Sequence, residues 1–493
     1  MPTKTISKRR QTGARSRRPL RRRPRPLFDD RTIDERPIIQ VIEIKPVEIV
    51  DPPLALPAYR GFTRQALVLL LVGLMVGFSL IPIANHLFHP PGDNKDYDIW
   101  FKAGREVLEG QNLYSARELT GKRVFEFMYP PAAAVFLAPL TAFGKLPFLV
   151  FLDVINSLSW IVSLLLAVLL AELACGQARG RARGRATLAT FVLPAVWTVA
   201  YVYDAYLLGQ PNLMLLGCLL AAFVALLSKK DWTAGALFAF AAACKAFPAL
   251  ALGYLVYRRR WRAAGAMLVF LALFMVVLPA PVRGVGRTVQ ELKTWADGML
   301  LHYDDTSIAQ RPGTSYEWKN ASLLATAHRL LRHVPAERPD DVNPVFVNVA
   351  DLDFHVVSGI AFCCAIGLCL ACVLLSPRYR MGTMATDAIE LAMLLVLITV
   401  LSPISWFYYG VWLLYPFAVV TQTIAGLPKA SATKHIAIGG LAVCLLLLNA
   451  VIPQLGTLRA VGLPFFGYLL LLIELGWCLR LASSRNHARL MAR

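Results

Sequence analysis

An all-α polytopic membrane protein is the fold class this sequence predicts, and three observations predict it. Of 493 residues, 57% are hydrophobic and only 17% are charged, where a soluble protein carries about 25%. Mean hydropathy is +0.53. Apolar windows of about 20 residues, long enough to cross a bilayer core as helices, recur along most of the chain.

Residues 1–60, rich in Pro and Arg, read as a disordered basic cytoplasmic tail. Much of the net charge of +20 sits there, between Lys4 and Arg25. Such a run also suits nucleic acid. Here it leads into a membrane helix, where its commoner role is to orient that helix and attract anionic lipid, so no nucleic-acid partner is expected. Having neither an apolar core nor a small-residue cleavage site, the run does not read as a signal peptide.

The membrane domain spans 61–482, followed by a short basic cytoplasmic tail at 483–493. Ten spans are predicted: 65–85, 148–173, 187–207, 211–228, 263–282, 356–375, 386–402, 407–425, 435–452 and 462–480. Basic clusters fix their orientation. Those at Arg179–Arg185, Lys229–Lys230, Arg258–Arg262, Arg378–Arg380 and the C-terminus all fall inside if both termini are cytoplasmic. Loops 86–147 and 283–355 are then outside. The agreement requires that 130–146, interrupted by Pro139, lie at the interface or re-enter rather than cross. Residues 232–257 have basic flanks at both ends yet are too short for two crossings, which predicts a broken hairpin around Lys245 and Pro248. A total of about 10–12 helices results. Cys369 and Cys372, a CxxC within an apolar run, read as packing residues, and no disulfide framework or metal site is suggested.

The first outer loop begins with three acids. Asp93 follows Pro91-Gly92 and reads as a turn residue. Asp98 precedes the first residue of an apolar-periodic helix, with Ile99, Ala103 and Val107 on one face, and reads as its N-cap. That helix is expected to lie at the interface, apolar side toward acyl chains. Asp96 is left with no structural task, which makes it a candidate catalytic carboxylate.

Several stretches, in order, resemble glycosyltransferase family 87, integral membrane enzymes that use polyprenyl-phosphate sugars. The family includes mycobacterial mannosyltransferases that extend phosphatidylinositol mannosides. The stretches are "DYDIWFKAGREVLEGQNLY" from Asp96, "FEFMYPPAAAVFLAPL" from Phe125, "LGQPNLMLL" from Leu208 and "CKAFPALALGYLVYRRRWRA" from Cys244. "WKNASLLATAHRLL" from Trp318 and "LSPISW" from Leu401 complete the set. The resemblance covers roughly residues 61–425. It implies a GT-C-type fold with a large first outer loop carrying interfacial helices. It also implies transfer of a hexose, mannose first, from a polyprenyl-phosphate donor to a lipid or glycan hydroxyl on the outer face of the cell membrane. Membrane lipids are the other partner, and no cofactor or metal is implied. One departure stands out: family members often carry His shortly after Ser-Pro-x-Ser-Trp, where this chain has Phe407, Tyr408 and Tyr409.

On this reading Asp96, matching the family's loop aspartate, is the base that activates the acceptor. Lys245 either meets the donor phosphate or snorkels to the inner headgroups. Tyr129 either binds substrate or, with Pro130 and Pro131, fixes the loop's return to the membrane. Gln210 and Asn212 hydrogen-bond sugar hydroxyls or cap a helix. Asn320 belongs to the acceptor side or only to a chance N-x-S sequon, and Tyr408 or Tyr409 can hydrogen-bond a sugar. No Gly-rich nucleotide loop is present, in keeping with a lipid-linked donor. The alternatives are a flippase of lipid-linked sugars, which should show matched internal repeats, and a catalytically altered family member.

Overall fold

In the computed structural model the described residues are 62–88, 95–114, 116–119, 122–175, 183–305, 307–309, 315–337, 344–378, 382–449 and 456–491. Expectations for the tail at 1–60, for Asp93, and for Arg179, Arg181, Arg380 and Arg493 lie outside them.

Helix α1 (Phe62–Phe88) leads to α2 (Asp96–Leu108), an antiparallel hairpin of β1 (Ala116–Leu119) and β2 (Lys122–Phe125), and α3 (Pro131–Thr141). Next come α4 (Lys145–Ala174), α5 (Arg183–Leu208), α6 (Asn212–Leu227), α7 (Asp231–Cys244), α8 (Ala251–Tyr257) and α9 (Trp261–Ala272). The short α10 (Ala280–Arg283), α11 (Val285–Trp295) and α12 (Leu323–Leu331) follow. The order ends with α13 (Phe354–Leu375), α14 (Met384–Leu401), α15 (Leu414–Ala425), α16 (Ala432–Leu448), α17 (Gly456–Val461) and α18 (Leu463–Met491). The chain is an all-α polytopic membrane protein apart from that one hairpin, whose register runs from Ala116↔Phe125 to Leu119↔Lys122.

Among the described residues seven helical stretches are long and apolar enough to cross a bilayer: 65–88, 145–174, 188–208, 261–283, 354–375, 384–401 and 463–484. Three of the ten expected spans are shorter or broken. The stretch at 211–228 is the 16-residue α6, because Gly209 turns at φ +73° and Pro211 delays the helix. That at 407–425 opens as a 3₁₀ turn, Phe407–Leu413, before α15. The third is the 17-residue α16. Helix α3, 11 residues long, rises about 17 Å and falls well short of a bilayer core of about 30 Å. Helix α18 runs on past its apolar stretch to Met491, through most of the C-terminal basic segment.

Burial sorts the spans: 72% of the α14 window is enclosed by protein, against 11% for α1 and for α13. The latter two form the rim. Cys369, on α13, is exposed there and packs nothing in the core, contrary to expectation. The two large loops, 86–147 and 283–355, are joined through Arg283, which donates to the Gln111 carbonyl at 2.5 Å and pairs with Glu291 on α11.

Helix α2 departs from its expected setting. Its buried side is Tyr97, Trp100, Ala103, Gly104 and Val107, and it packs on protein rather than acyl chains. A Cβ on Gly104 would meet Thr141 of α3 at 2.5 Å, so the two short helices touch almost backbone to side chain. The helix starts at Asp96, behind Lys95 at φ 55°, with no side-chain cap. Asp98 is therefore a first-turn residue and not the cap. Its carboxylate pairs with Lys145 at 2.8 Å, and a first-turn acid still favours the helix's positive end.

Candidate active site

Three aromatic and glycine contacts decide where Asp96 lies. Tyr97, next to it, donates its hydroxyl to Asp153 of α4, and the His86 ring of α1 stands edge-on to Tyr97 at 5.0 Å. The same tyrosine ring covers Gly209, where a Cβ would lie 2.3 Å from it. Only glycine fits that turn, both for this overlap and for its positive φ. One helical turn on, Trp100 stacks on Tyr129 at 3.9 Å. The start of α2 is thus clamped onto the Gly209–Gln210 turn and onto Tyr129, and Gln210 Nε2 donates to Asp96 Oδ2.

Lys245 comes from the other side. Helix α7 ends at Cys244, Lys245 is extended at φ −150°, and a 3₁₀ turn over Phe247–Leu250 carries Pro248. The break turns the side chain inward, where it is 5% exposed. Its Nζ donates to Gln210 Oε1 at 3.1 Å and to Asn212 Oδ1 at 2.8 Å. It also faces the rings of Tyr409 at 4.4 Å, Tyr408 at 4.9 Å and Tyr129 at 5.6 Å. An ammonium held this way is not snorkelling to a headgroup layer. Because an ammonium only donates, Oε1 of Gln210 must face Lys245, which leaves Nε2 for Asp96. The Tyr129 hydroxyl lies within 3.2 Å of the same amide. Asn212 is fully buried, and its Nδ2 has no partner among the described residues. A buried donor left open is a place for an acceptor oxygen.

Six of the residues singled out in the sequence therefore meet around one amide: Asp96, Tyr129, Asn212, Lys245, Tyr408 and Tyr409 around Gln210. Asn320 does not join them. Its Nδ2 donates to the Ser315 and Pro403 carbonyls at 2.9 and 3.1 Å, while its Oδ1 accepts from the Ser405 and Ser322 N–H groups at 2.9 and 3.2 Å. Its amide is fully occupied by these partners and has no exposed surface. Asn320 stitches the 283–355 loop to the Ser402–Trp406 turn that presents the two tyrosines.

Sequence reasoning missed Tyr97, Gly209, Asp153 and Asp204. The Asp204 carboxylate, at the end of α5, accepts the Tyr408 backbone N–H and lies within electrostatic reach of Lys319 and Lys95. An acid inside an apolar span was itself a signal for Asp153 and Asp204. Among the described residues no group of three or more His, Cys, Asp or Glu could hold a metal ion.

The sequence model of glycosyltransferase family 87 matches residues 127–403. The chain belongs to that family. Among curated proteins none matches it. As a family 87 member it is a membrane glycosyltransferase, acting between a sugar donor and an acceptor amid membrane lipids. The matched stretch contains Tyr129, Gln210, Asn212, Lys245 and Asn320, and Asp96 lies upstream of it.

Proposed function

We propose that this glycosyltransferase, built on a GT-C-type plan, takes a hexose from a polyprenyl phosphate and passes it to a lipid or glycan hydroxyl at the outer face of the cell membrane. Mannose is the sugar the resemblance favours. The observation that supports the reading is the single amide of Gln210, which carries a carboxylate on one end and a buried ammonium on the other.

Those two groups suit the two ends of the transfer. The acceptor oxygen bonds to the anomeric carbon while that carbon's bond to the phosphate oxygen breaks. The phosphate leaves with the electron pair, and the acceptor proton passes to Asp96 as general base. A phosphate is already a stable anion, so its departure calls for cations and N–H donors rather than for an acid. Lys245 supplies the charge, and Asn212 Nδ2 supplies an open donor beside it. Tyr129, Tyr408 and Tyr409 offer ring faces and hydroxyls to the sugar.

Incubating membranes with radiolabelled polyprenyl-phosphate mannose, glucose or arabinose, then resolving the lipid products, tests the donor class. Label should move from one of these donors, mannose first. Transfer from a nucleotide sugar alone would reject the donor assignment. Sidedness rests on arginine placement and is tested separately. A cysteine at position 182 should stay unlabelled by an impermeant thiol reagent in intact cells, and labelling there would invert the topology.

A further inference from the structure

Helix α6 runs away from Asn212 for 16 residues, about 24 Å, and ends in a turn that the chain then repeats. After α6, the N–H groups of Ser228, Lys229 and Lys230 bond to the carbonyls of Val224, Leu226 and Ala225. After α8, those of Arg258, Arg259 and Arg260 bond to Tyr254, Val256 and Leu255 in the same pattern. Lys229 and Arg259 occupy the left-handed position of the two turns, at φ 58° and 54°. Glycine adopts that conformation freely and other residues adopt it at a cost. A cation is kept at both places.

The two turns are brought side by side by the helices that leave them. On α7, a Cβ at Gly235 would lie 2.6 Å from the Ala266 side chain of α9. Beyond this close contact the helices open into a cleft of about 540 Å³ whose lining includes Lys229, Lys230, Asp231, Trp232, Trp261 and Arg262. Three cations face one acid, and among the described residues Lys229, Lys230 and Arg262 make no ion pair. The positive ends of α7 and α9 add to the field. Trp232 and Trp261 are 61% and 60% exposed, and α9 continues below them with exposed Leu268 and Val269.

We infer that this cleft binds one anionic phospholipid, its phosphate between Lys229, Lys230 and Arg262 and an acyl chain along Leu268 and Val269. Basic clefts between membrane helices suit such headgroups. A free phosphate would use the cations alone and leave the indoles and the apolar track without a task. The inference rests on the chain spanning a membrane. It is independent of the donor and of Asp96.

Native mass spectrometry of the detergent-purified full chain, titrated with phosphatidylglycerol, phosphatidylcholine or inorganic phosphate, tests it. Wild type should hold phosphatidylglycerol at least about tenfold more tightly than phosphatidylcholine, and millimolar phosphate should not displace it. Each lost cation should weaken binding about fivefold. Lys229→Gly is the informative single change. It removes a charge and relaxes the backbone, so the unfolding temperature should hold or rise while phosphatidylglycerol affinity falls. Lys229→Gly with Lys230→Gln and Arg262→Gln should bring the affinity down to that for phosphatidylcholine. Equal retention of the two lipids by wild type, full affinity in the triple variant, or displacement by phosphate would each overturn the inference.

Discussion

Replacing Asp96 by Asn separates basicity from architecture at the proposed base. The two side chains have the same shape, and Asn can turn its carbonyl oxygen toward Gln210 Nε2, so the hydrogen bond that Asp96 now accepts survives. The start of α2 also survives, because Tyr97 on Asp153 and Trp100 on Tyr129 hold it. What disappears is the proton acceptor. Loss of a general base costs about 10²–10⁴ in rate, or about 2.7–5.5 kcal/mol in the barrier. Donor KM should hold or fall, since the anionic donor loses a like-charged neighbour while Lys245 and Asn212 remain. Asp98→Asn is the control. Its pair with Lys145 has both side chains about one-third exposed, at 30% and 35%. Such pairs contribute at most about 1 kcal/mol, so the rate should stay within about twofold. The assay is the initial rate of label transfer in membranes, normalised to protein, with an unfolding midpoint for each variant. A wild-type rate for Asp96→Asn, or an equal loss for Asp98→Asn, would refute the assignment.

Three further changes test the surroundings. Lys245→Met should raise donor KM about 10–100-fold with a smaller effect on kcat, read from rates against donor concentration; an unchanged KM removes the phosphate role. Gly209→Ala forces a left-handed alanine and pushes a methyl into the Tyr97 ring, where a Cβ would lie at 2.3 Å. It should cost about 2–4 kcal/mol, seen as a lower unfolding midpoint with reduced turnover. The pKa of His328, which is buried on α12 and beside Arg332, is pushed down to about 4. An unfolded histidine titrates near 6.5, so the unfolded chain binds the extra proton between pH 6.5 and 4, and stability present above that window is lost across it. The loss is up to about 3 kcal/mol, and His328→Gln should flatten this part of the stability-against-pH curve.

Residue type told more about the site than about the fold's details. Asp96, Gln210, Asn212, Lys245 and the tyrosine pair were each visible as polar or aromatic residues at ends or breaks of apolar runs. Their convergence was not, because Gln210 lies 114 residues from Asp96 and 35 from Lys245. Asn320 stands apart from them, its amide taken up by the Ser315 and Pro403 carbonyls and the Ser405 and Ser322 N–H groups, of which Pro403 and Ser405 lie far along the chain where the local sequence does not name them. The cap expected at Asp98 failed because the helix begins earlier, behind a left-handed Lys95. The hairpin at 116–125 escaped notice because "ARELTGKRVF" offers only four residues on each side of its Thr-Gly. Lengths of the apolar runs overstated the spans at 211–228 and 407–425, since a glycine corner or a 3₁₀ turn uses apolar residues without adding α-helix.

The tyrosines that face Lys245 also set a timetable. They are made 313 residues after Asp96 (409 − 96), roughly 15–60 s later at ribosomal speeds of about 5–20 residues per second. A nascent chain that has reached residue 400 owns the carboxylate, the bridging amide and the ammonium. It lacks both rings, as well as the turn that Asn320 grips. For that interval the charged residues exist without the two rings that face Lys245 in the finished protein. Burial of those charges therefore waits on the last part of the chain, and variants that loosen the Ser402–Trp406 turn should lower the yield of folded protein before they change the chemistry itself.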